Sequence, residues 1–416
     1  FWLKGQGCCR PLAPAAGQGP AALSRCAARR DRNPARAAPR RSSGTPVRQT
    51  QMVQAPAGTS CRRVLLSLAL VQAAVGYEAP ARFLLASSPS EHNVYFAAFP
   101  DAKEFAKPLL QRPTVDLQVL IDGQASKCEG SDCTEDSDMG LQSPEGLALH
   151  HGSEKAVLYV ADPSAENVYS YRLLVEENDM VSTPSVKVGA QRKVLEGVVG
   201  VYGVAVDGFG NLYFTTNQGQ VGKVSVDQLK QSKPTPTYLY HSGANSATVS
   251  SPYGISTDAF FVYWTNQESG QSAGAVVRAL ERNTEEMQQQ YPQYPQPLAQ
   301  NSEKAYGVCL VNDNVFFTGE AQYLYGVKKS GGSIAEVYHS FNKPRGCSYD
   351  GQNSLAIADL EDNAIYILPA NYEKPRLVKK VWKAFNVPAP TSLAIFTGSP
   401  RFSEERVDKG FLGLGW

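Results

Sequence analysis

Apolar residues along this chain gather in short runs, and the first run of each pair opens on glycine. The runs read Glu145-Gly146-Leu147-Ala148-Leu149, Tyr202-Gly203-Val204-Ala205-Val206, Tyr253-Gly254-Ile255-Ser256-Thr257, Tyr306-Gly307-Val308-Cys309-Leu310 and Arg345-Gly346-Cys347-Ser348-Tyr349. Thr391-Ser392-Leu393-Ala394-Ile395 is a degenerate last copy. A second strand follows each of the first five: Leu158–Asp162, Leu212–Thr216, Val262–Asn266, Val315–Thr318 and Leu355–Asp359. Runs this short, bounded by turn residues, predict strands.

The glycines that open these units stand 57, 51, 53 and 39 residues apart. Such periods, with several strands per unit, mark a radial array, because one small sheet cannot bury both faces alone. Third strands are expected at Asn167–Leu173, Gln220–Ser225, Gly274–Ala279, Tyr323–Lys328 and Asn363–Leu368, and outer edges at Arg192–Leu195, Thr237–Tyr240, Ile334–Tyr338 and Pro375–Lys379. The third unit shows no clear outer strand, and its Gln/Pro/Tyr-rich run Gln288–Gln300 reads as an extended, solvated loop. The last unit has only Leu393–Phe396, and Phe83–Ser87, Asn93–Phe96 and Val115–Leu120 supply the missing strands. The expected fold is therefore all-β: a six-bladed β-propeller over 82–397, its last blade closed by N- and C-terminal strands. The inner strands share a small residue (Ala148, Ala205, Ser256, Cys309, Ser348, Ala394) where space near an axis is tightest.

The ends of the chain differ in composition. Residues 1–51 hold ten basic residues and one acid, and read as disordered or untranslated. Phe1-Trp2-Leu3-Lys4 resembles a translated spliced leader of the kind some protists add to messages, which would set the start at Met52; a basic targeting arm is the alternative. Over 52–76, Arg62-Arg63, the apolar run Val64–Val75 and the small residues Ala74 and Gly76 at the −3 and −1 positions have the layout of a secretory signal peptide. Residues 398–416 read as a tail, and no later run is long and apolar enough to span a bilayer. The expected location is secreted or lumenal.

Charge then changes the picture. The chain has 40 basic and 39 acidic residues, of which twelve and one precede residue 77, leaving 28 and 38, a net charge of −10. That balance disfavours nucleic acid as a partner. Four cysteines remain in this portion, an even number that favours disulfides in a secreted chain. Cys128 and Cys133 would close a small loop, whereas Cys309 and Cys347 sit on adjacent inner strands, one residue out of register. The latter two either face each other across the gap or both turn away as buried thiols.

Tyr263-Trp264-Thr265-Asn266 resembles the YWTD repeat of low-density-lipoprotein-receptor-type propellers, and Tyr202–Phe214 resembles an NHL repeat. The wider superfamily includes gluconolactonase/regucalcin-like and strictosidine-synthase-like propellers. Lactonase relatives imply a tunnel cation, Ca2+ among the candidates, held by a Glu, Asn and Asp set; Glu145 stands where that glutamate would lie. The matching positions elsewhere hold Tyr202, Tyr253, Tyr306 and Arg345, a poor shell for a hard cation. The same five residues form instead an expected ring at the tunnel mouth, with the composition of a binding surface for a protein, peptide or small molecule. The competing expectation is that the tyrosines pack between blades with only their hydroxyls exposed. The acidic stretch from Cys128 to Asp138 lacks EF-hand spacing, and His150-His151 lacks a metal-ligand spacing; they read as a solvated loop and an exposed turn. No nucleophile or nucleotide-binding motif appears. A binding module without cofactor is the leading expectation, and a metal-dependent lactonase-like hydrolase the alternative.

Overall fold

The computed structural model describes residues 81–123, 140–151, 156–176, 185–245, 247–267, 276–300 and 304–398. Their strands form six sheets of four or five strands, antiparallel except for one short parallel edge pair, arranged as the blades of a β-propeller. Blades are numbered here from the sheet that begins at Leu147. The inner strands are Leu147–His151, Val201–Val206, Pro252–Thr257, Ala305–Val311, Pro344–Tyr349 and Ser392–Gly398. In blade six the inner strand pairs antiparallel with Ala81–Ser88, Phe83 lying opposite Phe396. No described helix is long and apolar enough to cross a membrane.

The core lies between the blades. Each of six apolar clusters draws on two neighbouring sheets; one combines Tyr159 and Val194 of blade one with Val204 and Phe214 of blade two. Second strands are covered on both faces by neighbouring blades, which explains why they read as continuous apolar runs. Leu212–Thr216 is buried throughout, its threonines included. Trp264 is fully buried, and its indole N–H donates to the Thr248 carbonyl at 2.9 Å.

The position that follows the second strand's Thr or Ala has the same task in blades one, three and five. Asp162 Oδ2 accepts from the Gln142 amide at 2.6 Å, and its Oδ1 from the Ser143 amide at 3.0 Å. Asp359 does the same for Asn342 and Lys343, at 2.7 and 2.8 Å. In blade three Asn266 substitutes, its Oδ1 accepting from Ser250 at 3.2 Å and its Nδ2 donating to Thr248 at 3.0 Å. These groups fix the segment that leads into their own blade's inner strand. They are consumed by architecture and unavailable to a ligand.

Cys309 and Cys347 form a disulfide with Cα atoms 6.0 Å apart, so the two inner strands of blades four and five present them to each other. Cys128 and Cys133, the leader, the signal-peptide segment and residues 399–416 lie outside the described residues.

Four expectations need correction. The outer strand of blade five is Trp382–Asn386, not Pro375–Lys379, because Pro375 and Val378 are drawn onto blade four. The Gln/Pro/Tyr-rich run is not one solvated loop: Glu285–Gln290 is helical, and Gln296–Ala299 is the outer strand of blade three, with Leu298 and Ala299 buried. Val115–Leu120 is not one strand. Val115–Asp116 pairs parallel with blade five, while Gln118–Asp122 completes blade six. Blade one gains a further strand, Ser185–Val188, along the extension of Asn167–Glu176.

Candidate functional site

Six inner strands converging on one axis leave no room for side chains where they come closest. A Cβ built on Gly203 would lie 2.1 Å from the Tyr253 carbonyl oxygen and 2.6 Å from Thr215 Oγ1. The same collision awaits Gly146 against Tyr202, Gly254 against Tyr306, Gly307 against Arg345 and Gly346 against Thr391, at 2.2–2.5 Å. The repeating glycine therefore marks backbone-to-backbone approach between neighbouring blades, not a turn.

A hydroxyl fills the remaining gap in four blades. Thr318 Oγ1 accepts from the Gly307 amide at 2.8 Å and donates to the Arg345 carbonyl of the next blade at 2.6 Å. Thr215 and Thr265 make the same relay to the Tyr253 and Tyr306 carbonyls. Ser87 makes it in blade six, accepting from the Ser392 amide at 3.1 Å and donating to the Glu145 carbonyl at 2.6 Å. Blades one and five carry Ala161 and Ala358 at this place.

At this constriction and the strand entrances above it lies a cavity of about 70 Å³ that opens to solvent. Glu145, Tyr202, Tyr253 and Tyr306 line it, joined by Thr391 and Ser392 of the degenerate sixth copy. The Tyr253 hydroxyl donates to Glu145 Oε2 at 2.8 Å. Tyr202 and Tyr253 have ring centroids 5.0 Å apart, and Tyr253 meets Tyr306 edge-on at 5.6 Å. Arg345 does not line the cavity. It is 6% exposed, stacks its guanidinium 3.7 Å from the Tyr306 ring centroid, and donates from NH1 to the Pro344 carbonyl at 2.9 Å. The structure therefore brings four of the five expected mouth residues to one cavity and tucks the fifth against Tyr306. Thr391 and Ser392 were missed because the last repeat lacks glycine, although its alignment had marked the position.

Burial pushes the Glu145 carboxyl up to about 7, against the opposing pull of the Tyr253 and Thr391 hydroxyls and the Arg345 charge. Burial, reinforced by the Glu145 charge, raises the phenols of Tyr253 and Tyr202. Glu145 keeps contact with the cavity, so water reduces this effect on stability. Its sign is nonetheless fixed. Below about pH 4.5, the ordinary value, Glu145 is protonated whether or not the chain is folded. Between there and about 7 the unfolded chain ionises first, so folding stability falls as pH rises and then levels off. Relative to Glu145→Gln, wild type should lose on the order of 2 kcal/mol across this window. Urea unfolding at a series of pH values tests this, and parallel profiles for the two proteins would refute it.

The donor set does not suit a hard cation. It offers one carboxyl, already held by hydroxyls, among three phenols, and the Glu145, Tyr253, Tyr306 and Arg345 carbonyls each accept from a relay hydroxyl. Among the described residues no three His, Cys, Asp or Glu side chains converge as metal ligands. His150 and His151 sit at the far end of their strand, where His151 stacks on Phe396 with centroids 6.1 Å apart.

No protein-family model matches the sequence, and no curated protein matches it. Solved structures similar to the chain include a gluconolactonase from Xanthomonas campestris, at 13% identity over 61% of this chain and 82% of that one (TM-score 0.41). A virginiamycin B lyase from Staphylococcus aureus is 14% identical over 58% and 77% of the respective chains (TM-score 0.36). An aldose sugar dehydrogenase from Streptomyces coelicolor is 15% identical over 61% and 86% (TM-score 0.38). The likeness is one of architecture, and none of those activities is read into this chain.

Proposed function

We propose that the chain is a secreted or lumenal β-propeller that acts as a binding module and takes its ligand at the axial mouth. One observation carries this reading: Tyr202, Tyr253, Tyr306 and Glu145 converge on a cavity that opens to solvent. Rigid aromatic walls give contact area at low entropic cost, while a single carboxyl and nearby hydroxyls give direction. The secretory route rests on the composition of residues 52–76, and the Cys309–Cys347 bridge is in keeping with it. Ring closure by the first and last strands of the domain is supported by the pairing of Ala81–Ser88 with Ser392–Gly398.

Tyr253 and Tyr306 are too enclosed to be removed without harm, so Tyr202, only half-buried, is the informative position. A fragment library screened by ligand-observed NMR should yield mouth binders whose affinity drops tenfold or more in Tyr202→Ala, with the urea midpoint little changed. Hits that bind Tyr202→Ala and wild type equally would place the ligand elsewhere.

The lactonase-like alternative has one observation in its favour, the near-neutral Glu145 carboxyl, which suits general acid–base work. Such a hydrolase needs a cation in the tunnel. Added calcium or zinc should leave the melting temperature unchanged under the binding reading, and a marked rise would favour the hydrolase.

A further inference from the structure

Among the described residues one concentration of exposed cations stands apart. Seven lysines elsewhere on the described surface are ion-paired. In Lys374-Pro375-Arg376-Leu377-Val378-Lys379-Lys380, between the third and fourth strands of blade five, four cations stand in seven residues with no acid among them. All four are exposed, and none has a carboxylate partner among the described residues. In residues 77–416, whose net charge is −10, such a cluster is not a by-product of basic composition.

The segment is also held in shape. Its second residue, Pro375, packs so closely on blade four that a Cβ built on Gly326 would come within 2.5 Å of it. Its fifth, Val378, is buried, and its amide donates to the Val337 carbonyl at 2.8 Å. Lys328 Nζ reaches the Glu373 carbonyl and fastens the start of the segment to the same blade. The Arg376 guanidinium rests 3.9 Å from the Tyr372 ring centroid. Two inward anchors thus leave Lys374 and Arg376 outward on one side of Val378, and Lys379 and Lys380 on the other. A spine already ordered loses little entropy when a ligand spans it.

We propose that this strip is a binding site for a linear sulfated polysaccharide, separate from the axial mouth. Closely spaced cations on an anchored spine match closely spaced sulfates on a stiff chain, and release of condensed counterions supplies the affinity. Nucleic acid fits less well, because the ring of Tyr372, at the start of the segment, is covered by Arg376 and is not free to stack a base. A bilayer fits less well because Leu377, at 52% exposure, is the single large apolar side chain the segment presents.

The test uses the full chain, a short heparin oligosaccharide and its desulfated counterpart. Wild type should bind the sulfated chain, with affinity falling about 10²-fold between 50 and 200 mM salt if about four cations take part. Replacing Lys374, Arg376, Lys379 and Lys380 together by glutamine should weaken binding at least tenfold at low salt, whereas removing Lys103 and Lys233 should not. Binding unchanged in the quadruple variant, or equal for the desulfated chain, overturns the proposal. Equal or tighter capture by single-stranded DNA or by phosphatidylglycerol vesicles overturns the assignment to a glycan. Should the variant fail to fold, lysine acetylation of wild type decides: heparin must protect Lys374, Lys379 and Lys380, and no protection refutes the site.

Discussion

Gly203→Ala is expected to cost about 3 kcal/mol or more, enough to unfold a marginal domain. The added methyl would sit 2.1 Å from a backbone oxygen of the next blade, and backbone at the axis has nowhere to go. Moving the Tyr253 carbonyl also breaks its bond from Thr215, which leaves a buried hydroxyl without its acceptor. Gly208→Ala is the matched control, because nothing lies within 4 Å of a Cβ there and its backbone is not left-handed. That change should stay within about 0.5 kcal/mol of wild type. Urea midpoints for the two variants decide the matter; comparable losses would show that backbone crowding at the axis is not what selects glycine.

Removing the disulfide should have an effect of similar size. Cys309 and Cys347 are 38 residues apart in sequence, and closing a loop of that length restricts the unfolded chain by about 4 kcal/mol in the chain-entropy estimate. Both cysteines lie in inner strands, where Cys309 is 5% exposed. The double variant Cys309→Ala/Cys347→Ala should therefore lose about 3–4 kcal/mol. Oxidised wild type, reduced wild type and the double variant should be compared by urea unfolding. Equal midpoints for all three would mean that packing at this seam, not the bridge, holds blades four and five together.

The inner half of each blade was legible in the sequence because one physical demand, the close approach of backbones at the axis, forces one residue type. Glycine followed by an apolar and then a small residue is therefore a strong signal. The outer strands obey no such rule. Pro375–Lys379 and Trp382–Asn386 both carry three apolar residues in five, and what separates them is tertiary: Pro375 fits over Gly326, while Phe385 lies opposite Ile365 in the sheet. Leu298 and Ala299 were hidden for a similar reason, embedded among Gln, Pro and Tyr that suggest a loop.

The mouth was partly legible. Position before the glycine puts Glu145 and the three tyrosines in one register, and all four line one cavity. Position alone does not say where a long side chain turns, and Arg345 lies against Tyr306 instead of facing the opening. Nor does it reveal that Tyr253 would hold the Glu145 carboxyl, a contact across 108 residues of chain.

The hydroxyl relay has a mechanical consequence. Between blades one and two, Ala161 contributes no such bond near the axis, and the contact there is apolar packing. The junction of blades four and five has both the Thr318 relay and the covalent bridge. Blade five also lacks the hydroxyl, but there the Gly346 amide donates directly to the Thr391 carbonyl of blade six at 2.7 Å. In a six-bladed ring the first two junctions are diametrically opposed, one held by both a relay and a bridge and the other by neither. Any breathing of the ring would pivot about the bridge and widen first between Glu145 and Tyr202, at the lip of the opening.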